Sequence, residues 1–345
     1  MDPVRPATFG FRMPAEWEPH RACWMAYPHL AHEWGEAFEA ARAEWIELAR
    51  AIALEAGEAL ELLVPDEATA RAVSDALHDV AEKRLHVMAY GDSWTRDTAP
   101  CFLLDEAGTL GAACFGFNGW GGKYLMPGDD RVASAIAATL GCRAFGVDLV
   151  CEGGALEVDG EGTLLTTRAC LVDELRNPGR SREEIEAILG SALGVSKVIW
   201  LDATLENDHT DGHIDTLARF VRPGEVLCMA PSGDDDPNAA MLDDLAAQLA
   251  ASVHAKGRKL RVHRIPSPGR ITNDAGEVLA ASYCNYYLGN DALVVPLYDS
   301  SWDGPVLEAL RALFPERRVV GRSSRAIVSG GGAFHCITQQ EPEAR

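Results

Sequence analysis

The sequence predicts an α/β chain, a single domain over residues 1–345 built radially from about five helix–strand units. Three observations predict it. From the second onward, the helix-periodic segments recur about every 50 to 65 residues, the kind of period that marks repeat architectures. Short apolar strand-like runs stand between them, and no low-complexity tract or long linker divides the chain. With 345 residues the chain could be one large domain or two, and 47% hydrophobic residues are ample for a substantial core. The unbroken alternation favours one.

In chain order, helical periodicity appears in "EAFEAARAEWIELARAIALEAGE", "DEATARAVSDAL", "DDRVASAIAATLG", "SREEIEAILGSALG", "PNAAMLDDLAAQLAAS" and "WDGPVLEALRALF". The strand-like runs are "ALELLVP", "RLHVMAY", "CFLLDEAG", "KVIWL", "HIDTLARFV", "GEVLCMA", "KLRVHRI", "ALVVPLY" and "RRVVG". Helix, strand, polar loop and one or two more strands succeed one another about five times. Residue identity is not repeated, so the reading rests on element order.

The formal charge is −21, with lysine only at positions 83, 123, 197, 256 and 259. Such a field repels phosphate backbones, so no nucleic-acid partner is expected, and it draws in small cations. Composition alone explains the charge as a solubility device; its sign still favours a cationic substrate. The N-terminal "MDPVRPATFGFRMPAEWEP" lacks the apolar stretch of a secretory signal, and no run approaches the ~18 apolar residues of a membrane helix, so a cytoplasmic, membrane-free protein is expected. Nine cysteines scattered along the chain read as mostly free thiols. The oligomeric state is left open, a homo-oligomer included.

Reactive residues gather in the polar loops: Trp94, Arg96 and Asp97 in "GDSWTRDTAP", Glu152 beside two glycines, "NDHTDGHID" over 207–215, Asn285 in "SYCNYY", and Cys336 in "SGGGAFHCITQQ". If the units surround an axis, these loops meet at its centre. In "HTDGHID", His209 and His213 have the spacing of a zinc helix, but Gly212, Thr210 and the aspartates are poor helix formers. The run "HIDTLARFV" alternates like a strand, so His213 and Asp215 are expected to point into one space. A His/Asp zinc hydrolase assembled across loops is the alternative of a different class, since imidazole and carboxylate are both competent ligands. Cys336 stands out from the other cysteines because three glycines precede it and polar residues come after it. A nucleophilic cysteine needs a base or an electropositive ligand to form its thiolate; His213 or a bound cation could serve.

The segments "MPAEWEPHRACWMAYPH", "DSWTRDTAP", "FNGWGGKY", "EGGALEVDGEGTLLTT", "RNPGRSREEIE", "TDGHID" and "GGGAFHCITQQ" resemble the agmatine deiminases and the bacterial-type peptidylarginine deiminases. The resemblance runs from about residue 9 to residue 340. It implies the pentein fold, a five-bladed pseudo-symmetric α/β propeller, and hydrolytic deimination of a guanidino group through a covalent amidino-cysteine, with no metal or cofactor. Carried over position by position, Cys336 is similar to the nucleophile and His213 to the general acid/base. Asp97 and Asp215 match the two carboxylates that grip the guanidinium, and Glu152 matches the carboxylate that orients the histidine. A planar guanidinium presents paired N–H donors to a carboxylate on each side, which fixes its carbon for perpendicular attack. Flanking carboxylates should raise the pKa of His213.

Trp94 and Trp120 are candidates for an apolar wall along the substrate's methylene chain, Asn285 for a hydrogen bond near the reaction centre, and Arg96 for a partner of a neighbouring carboxylate. One departure bears on substrate. Agmatine deiminases carry D-E-T-D-G-H where this chain has His209 in the second position, so an imidazole stands where an acid would attract a distal ammonium. If His209 does not read that end, Asp208 or Asp211 is expected to. Agmatine is the leading substrate; another guanidino compound or peptidylarginine is the alternative.

Overall fold

A computed structural model describes residues 5–345; residues 1–4, where part of the reading of the N-terminus falls, lie outside the described residues. Five sheets succeed one another along the chain. The first holds β1 (His20–Ala26), β2 (Ala59–Val64) and β3 (Lys83–Val87); the second β4 (Cys101–Leu104), β5 (Leu110–Gly116) and β6 (Arg143–Val150). The third holds β7 (Glu157–Val158), β8 (Thr163–Thr167) and β9 (Lys197–Leu201), the fourth β10 (Ala218–Arg222), β11 (Glu225–Ala230) and β12 (Arg261–Pro266). The fifth holds β13 (Tyr287–Leu288), β14 (Ala292–Leu297) and β15 (Arg318–Ser323), and the last strand, β16 (Gln339–Pro342), returns to pair with β1.

One pattern builds every sheet. An antiparallel pair (β4/β5, β7/β8, β10/β11, β13/β14, and β16/β1) is joined by a strand parallel to the second member. Parallel pairing requires a crossover, and here a helix supplies it: Phe38–Leu54, Asp129–Leu140, Arg182–Leu193, Ala239–Ala251 and Asp303–Leu313. The first sheet has a further crossover, Glu67–Ala76, leading to β3. The α/β character expected from the alternation is thus what the chain forms.

Local chemistry fixes the helix ends. Asp66 accepts from the Thr69 amide at 2.7 Å, and Ser181 forms a capping box with Glu184; each such cap contributes about 1 kcal/mol. The first long helix stops at Leu54, short of the 36–58 expected, because the chain turns out through Gly57 at φ 75°. Its Trp45, Leu48 and Ile52 are fully buried and share one apolar cluster with Leu60 and Leu62 of β2. Each such aliphatic side chain stabilises the fold by roughly 1.5–3 kcal/mol.

The expected strand over 213–221 is corrected: Ile214–Leu217 is one helical turn, and the strand begins only at Ala218. Hydrogen bonding explains the difference. The His213 amide donates to Thr210 Oγ1 at 3.0 Å, and Thr216 Oγ1 donates back to the His213 carbonyl at 2.9 Å, so the backbone closes on itself before β10 meets β11.

That turn is one of a set. Thr95–Thr98 precedes β4, Gly153–Ala155 precedes β7, Ile214–Leu217 precedes β10, and residues carrying Asn285 and Cys336 precede β13 and β16. The chain therefore places an equivalent short turn at the entrance to each antiparallel pair. No helix among the described residues is long and apolar enough to cross a membrane, and all nine cysteines are free.

Candidate active site

The entrance turns are hydrogen-bonded to one another. The Arg96 amide donates to the Cys336 carbonyl at 3.1 Å, the Gly154 amide to Asp97 Oδ1 at 3.0 Å, and the His335 amide to the Asn285 carbonyl at 3.1 Å. At their junction sits Gly154. A β-carbon there would lie 2.5 Å from His213 Nδ1, 2.9 Å from Asp97 Oδ1 and 3.2 Å from Asp215 Oδ2, so three functional groups converge on a space that only glycine leaves open. His213 and Asp215 do face one region as expected, though a turn rather than a strand brings them there.

His213 is fully buried, with Asp97 Oδ1 3.7 Å from Nδ1 and Glu152 Oε2 3.7 Å from Nε2. Neither ring nitrogen has a protein hydrogen-bond partner. Burial opposes the charged ring, but Asp97 and Glu152 outweigh it and hold the pKa well above the usual imidazole value. Burial pushes Asp97 up to about 6, against the pull of His213 and with added repulsion from Asp215 and Glu152. Glu152 is likewise buried, yet His213 and Arg176 hold its pKa below the ordinary carboxylate value. Arg176 Nε sits 2.9 and 3.0 Å from the two Glu152 oxygens.

Cys336 Sγ receives a hydrogen bond from Asn285 Nδ2 at 3.2 Å and lies 3.6 Å from Asp215 Oδ2. Asn285 Oδ1 also accepts from the His335 and Cys336 amides at 3.0 and 3.3 Å, so this side chain fixes the strand-entry turn as well as the sulfur. Burial, then Asp215 and Asp97, raise the thiol pKa well above normal, which favours the protonated sulfur. Asp215 has one oxygen 2.7 Å from His335 Nδ1 and the other without a protein partner; despite burial, His335 keeps its pKa low.

Beside these groups opens a cavity of about 140 Å³, whose lining includes Asp97, Trp94, Trp120, Tyr124, His209, Glu33 and Asp92. Trp120 adopts a left-handed backbone (φ 54°) and donates its indole N–H to Asp97 Oδ2 at 2.9 Å, so the expected wall residue also orients a carboxylate. Trp94 stacks on Trp34, and a β-carbon at Gly332 would meet both Trp94, at 2.7 Å, and Cys336 Sγ, at 3.0 Å. His209 lies at this cavity, stacked on Tyr124, far from the zinc-helix partnership with His213 that its spacing suggests.

Several assignments change. Arg96 donates to Gln340 Oε1 and the His335 carbonyl rather than to a carboxylate. Asp208 is turned into its own loop, accepting from Thr210 N, Thr210 Oγ1 and Gly212 N, while Asp211 is bound by Lys123 and Arg176. Neither is left to read a distal ammonium. Among the described residues, one group has metal-ligand geometry: Glu152, Cys170 and His213. It differs from the His/Asp set weighed from sequence, and both Glu152 oxygens already accept from Arg176 Nε. Arg176, His335, Glu33 and Asp92 were not singled out from the sequence. Arg176, Asp92 and His335 lie within the motif segments "RNPGRSREEIE", "DSWTRDTAP" and "GGGAFHCITQQ", and Glu33 lies in none of them.

A buried cysteine, a caged histidine and several carboxylates thus converge from successive sheets, a set of groups suited to a small cation with N–H donors. The model of the Porphyromonas-type peptidyl-arginine deiminase family matches residues 12–342, and the chain belongs to that family. Among its relatives, the agmatine deiminase of Stutzerimonas stutzeri is 40% identical over 98% of this chain and 97% of its own length. That of Pseudomonas aeruginosa is 38% identical, covering 99% and 98%. The solved structure of agmatine deiminase from Enterococcus faecalis superposes with a TM-score of 0.91 at 32% identity, covering 99% of each chain.

Proposed function

We propose that the protein hydrolyses agmatine to N-carbamoylputrescine and ammonia, as a single cytoplasmic catalytic domain whose five units form a five-bladed α/β propeller. The observation that carries this reading is the pair Asp97 and Asp215, two buried carboxylates that converge on the space beside Gly154 with Asp215 3.6 Å from Cys336 Sγ, one raised by burial and the other with an unpartnered oxygen. Anions so placed are costly alone and fit a bound cation with N–H donors on both edges.

Asp97 and Asp215 hold the guanidinium, and its charge draws the Cys336 pKa down, releasing the thiol proton to solvent as substrate binds. The thiolate adds to the guanidinium carbon. His213, kept protonated by its carboxylate cage, gives a proton to the leaving amino group, which departs as ammonia and leaves an amidino-cysteine. Neutral His213 then takes a proton from water, the hydroxide adds to the same carbon, and the C–S bond breaks as the new hydroxyl's proton passes to the departing sulfur, giving the carbamoyl product, the free thiol and protonated His213. Glu152, fixed by Arg176, keeps the imidazole aligned. The small cavity with three aromatic walls supports a free small molecule over peptidylarginine, and Glu33 and Asp92 on its wall disfavour a guanidino acid. Ammonia release measured across agmatine, arginine, guanidino acids and a peptidylarginine ester tests the reading; a preference for any of the last three would replace it.

A further inference from the structure

Position 209 carries an imidazole, and its surroundings are unsuited to a cation. Lys123 Nζ donates to the His209 carbonyl at 2.9 Å, and the ring is held by Tyr124, whose hydroxyl lies 3.3 Å from Nδ1. The cavity's negative charge outside the reaction centre lies instead in Glu33 and Asp92. Asp92 is 4% exposed, and its Oδ1 accepts from Trp34 Nε1 at 3.0 Å, on the indole that stacks against Trp94. Burial raises the Asp92 pKa, a cost that a nearby cation would relieve. Glu33 sits one residue before that same tryptophan, its side chain 29% exposed and, among the described residues, in ionic contact only with the solvent-facing His32 at 3.2 Å. Among the described residues, neither carboxylate is paired with a lysine or arginine.

We propose that Glu33 is the group that recognises the distal cation of the substrate, with Asp92 adding field behind it, so that the short helical turn Ala31–Trp34 carries the specificity that position 209 lacks. The proposal rests on the agmatine reading and assigns the end of the molecule that the reaction does not touch. Trp34 makes the arrangement coherent: its indole orients Asp92 on one side and supports Trp94, the wall against the methylene chain, on the other. The guanidinium is thereby gripped by Asp97 and Asp215, the chain lies along aromatic rings, and the ammonium ends at a carboxylate that is partly hydrated and so can release product.

Agmatine and butylguanidine, which has the same chain without the ammonium, separate the two ends. Wild type should favour agmatine in kcat/KM, and Glu33→Gln should reduce the agmatine-to-butylguanidine ratio about tenfold, carried by KM, since removal of a charged hydrogen-bond partner weakens binding away from the reacting carbon. Asp92→Asn should lower the ratio by a smaller factor. Butylguanidine turnover in the same preparations verifies that the variants fold. If wild type prefers agmatine and Glu33→Gln leaves the ratio within twofold, the ammonium is read elsewhere and the proposal is overturned. Wild type that is indifferent to the ammonium would instead overturn the agmatine reading, and the proposal with it.

Discussion

Gly154→Ala isolates the convergence of the entrance turns in one methyl group. The backbone at Gly154 has no positive φ, so alanine is acceptable there in conformation and the perturbation is steric alone. The methyl would stand 2.5 Å from His213 Nδ1 and 2.9 Å from Asp97 Oδ1, both well inside van der Waals contact, so one or both must move by about 1 Å. Asp97 is tethered by Trp120 and the Gly154 amide, and His213 lies in a fully buried cage, so neither can yield without losing alignment. Displacement of that size costs about 100-fold in rate, and overpacking costs roughly 1–3 kcal/mol in stability. Steady-state ammonia release and urea unfolding would be compared with wild type. A kcat within threefold of wild type would refute the claim that His213, Asp97 and Asp215 act in the space Gly154 leaves.

The same geometry sets further outcomes. Asp97→Asn and Asp215→Asn each remove charge from a desolvated clamp and should lower kcat/KM by about 2–5 kcal/mol equivalent; a loss under tenfold in either would return that residue to the structural background. Because Asp97 titrates at about 6 and grips only when ionised, kcat/KM for wild type should rise with pH through that region and fall again at alkaline pH as His213 loses its proton; an acidic limb that persists unchanged in Asp97→Asn would remove Asp97 from the assignment. Arg176→Met strands Glu152 without its guanidinium and should destabilise the fold by about 3–5 kcal/mol, read by thermal melting. His209→Glu should shift preference toward agmatine over guanidino acids by about 1 kcal/mol, and an unchanged ratio would show that position 209 does not sense the distal end.

The sequence carried the helices well because each crossover must bury a 3.6-residue stripe, and the periodicity of "DEATARAVSDAL" and "WDGPVLEALRALF" is that stripe. Strands were less legible. "LGAACFG" of β5 is built from small residues whose burial comes from neighbours, and β7 and β13 are two residues long, too short for alternation to register. The turn at Ile214–Leu217 reads as strand because its periodicity signal spans too few residues, while Thr210 and Thr216 decide its shape through side-chain hydrogen bonds. Site residues to which the family resemblance assigns a role could be placed by number. Glu33, Asp92 and His335 could not be singled out, since a charged residue near a tryptophan or a cysteine acquires meaning only when distant turns pack: His335 bridges Asp215 and Glu16, far apart in the chain.

The covalent step is the centre of the proposed chemistry, and trapping it is the direct test. Enzyme mixed with agmatine, quenched in acid during turnover, digested and analysed by mass spectrometry should show the peptide containing Cys336 heavier by agmatine less ammonia, with no such species in Cys336→Ala, which should be folded and inactive. An adduct on any of the other eight cysteines, or a Cys336→Ala variant within a few-fold of wild-type activity, would contradict it.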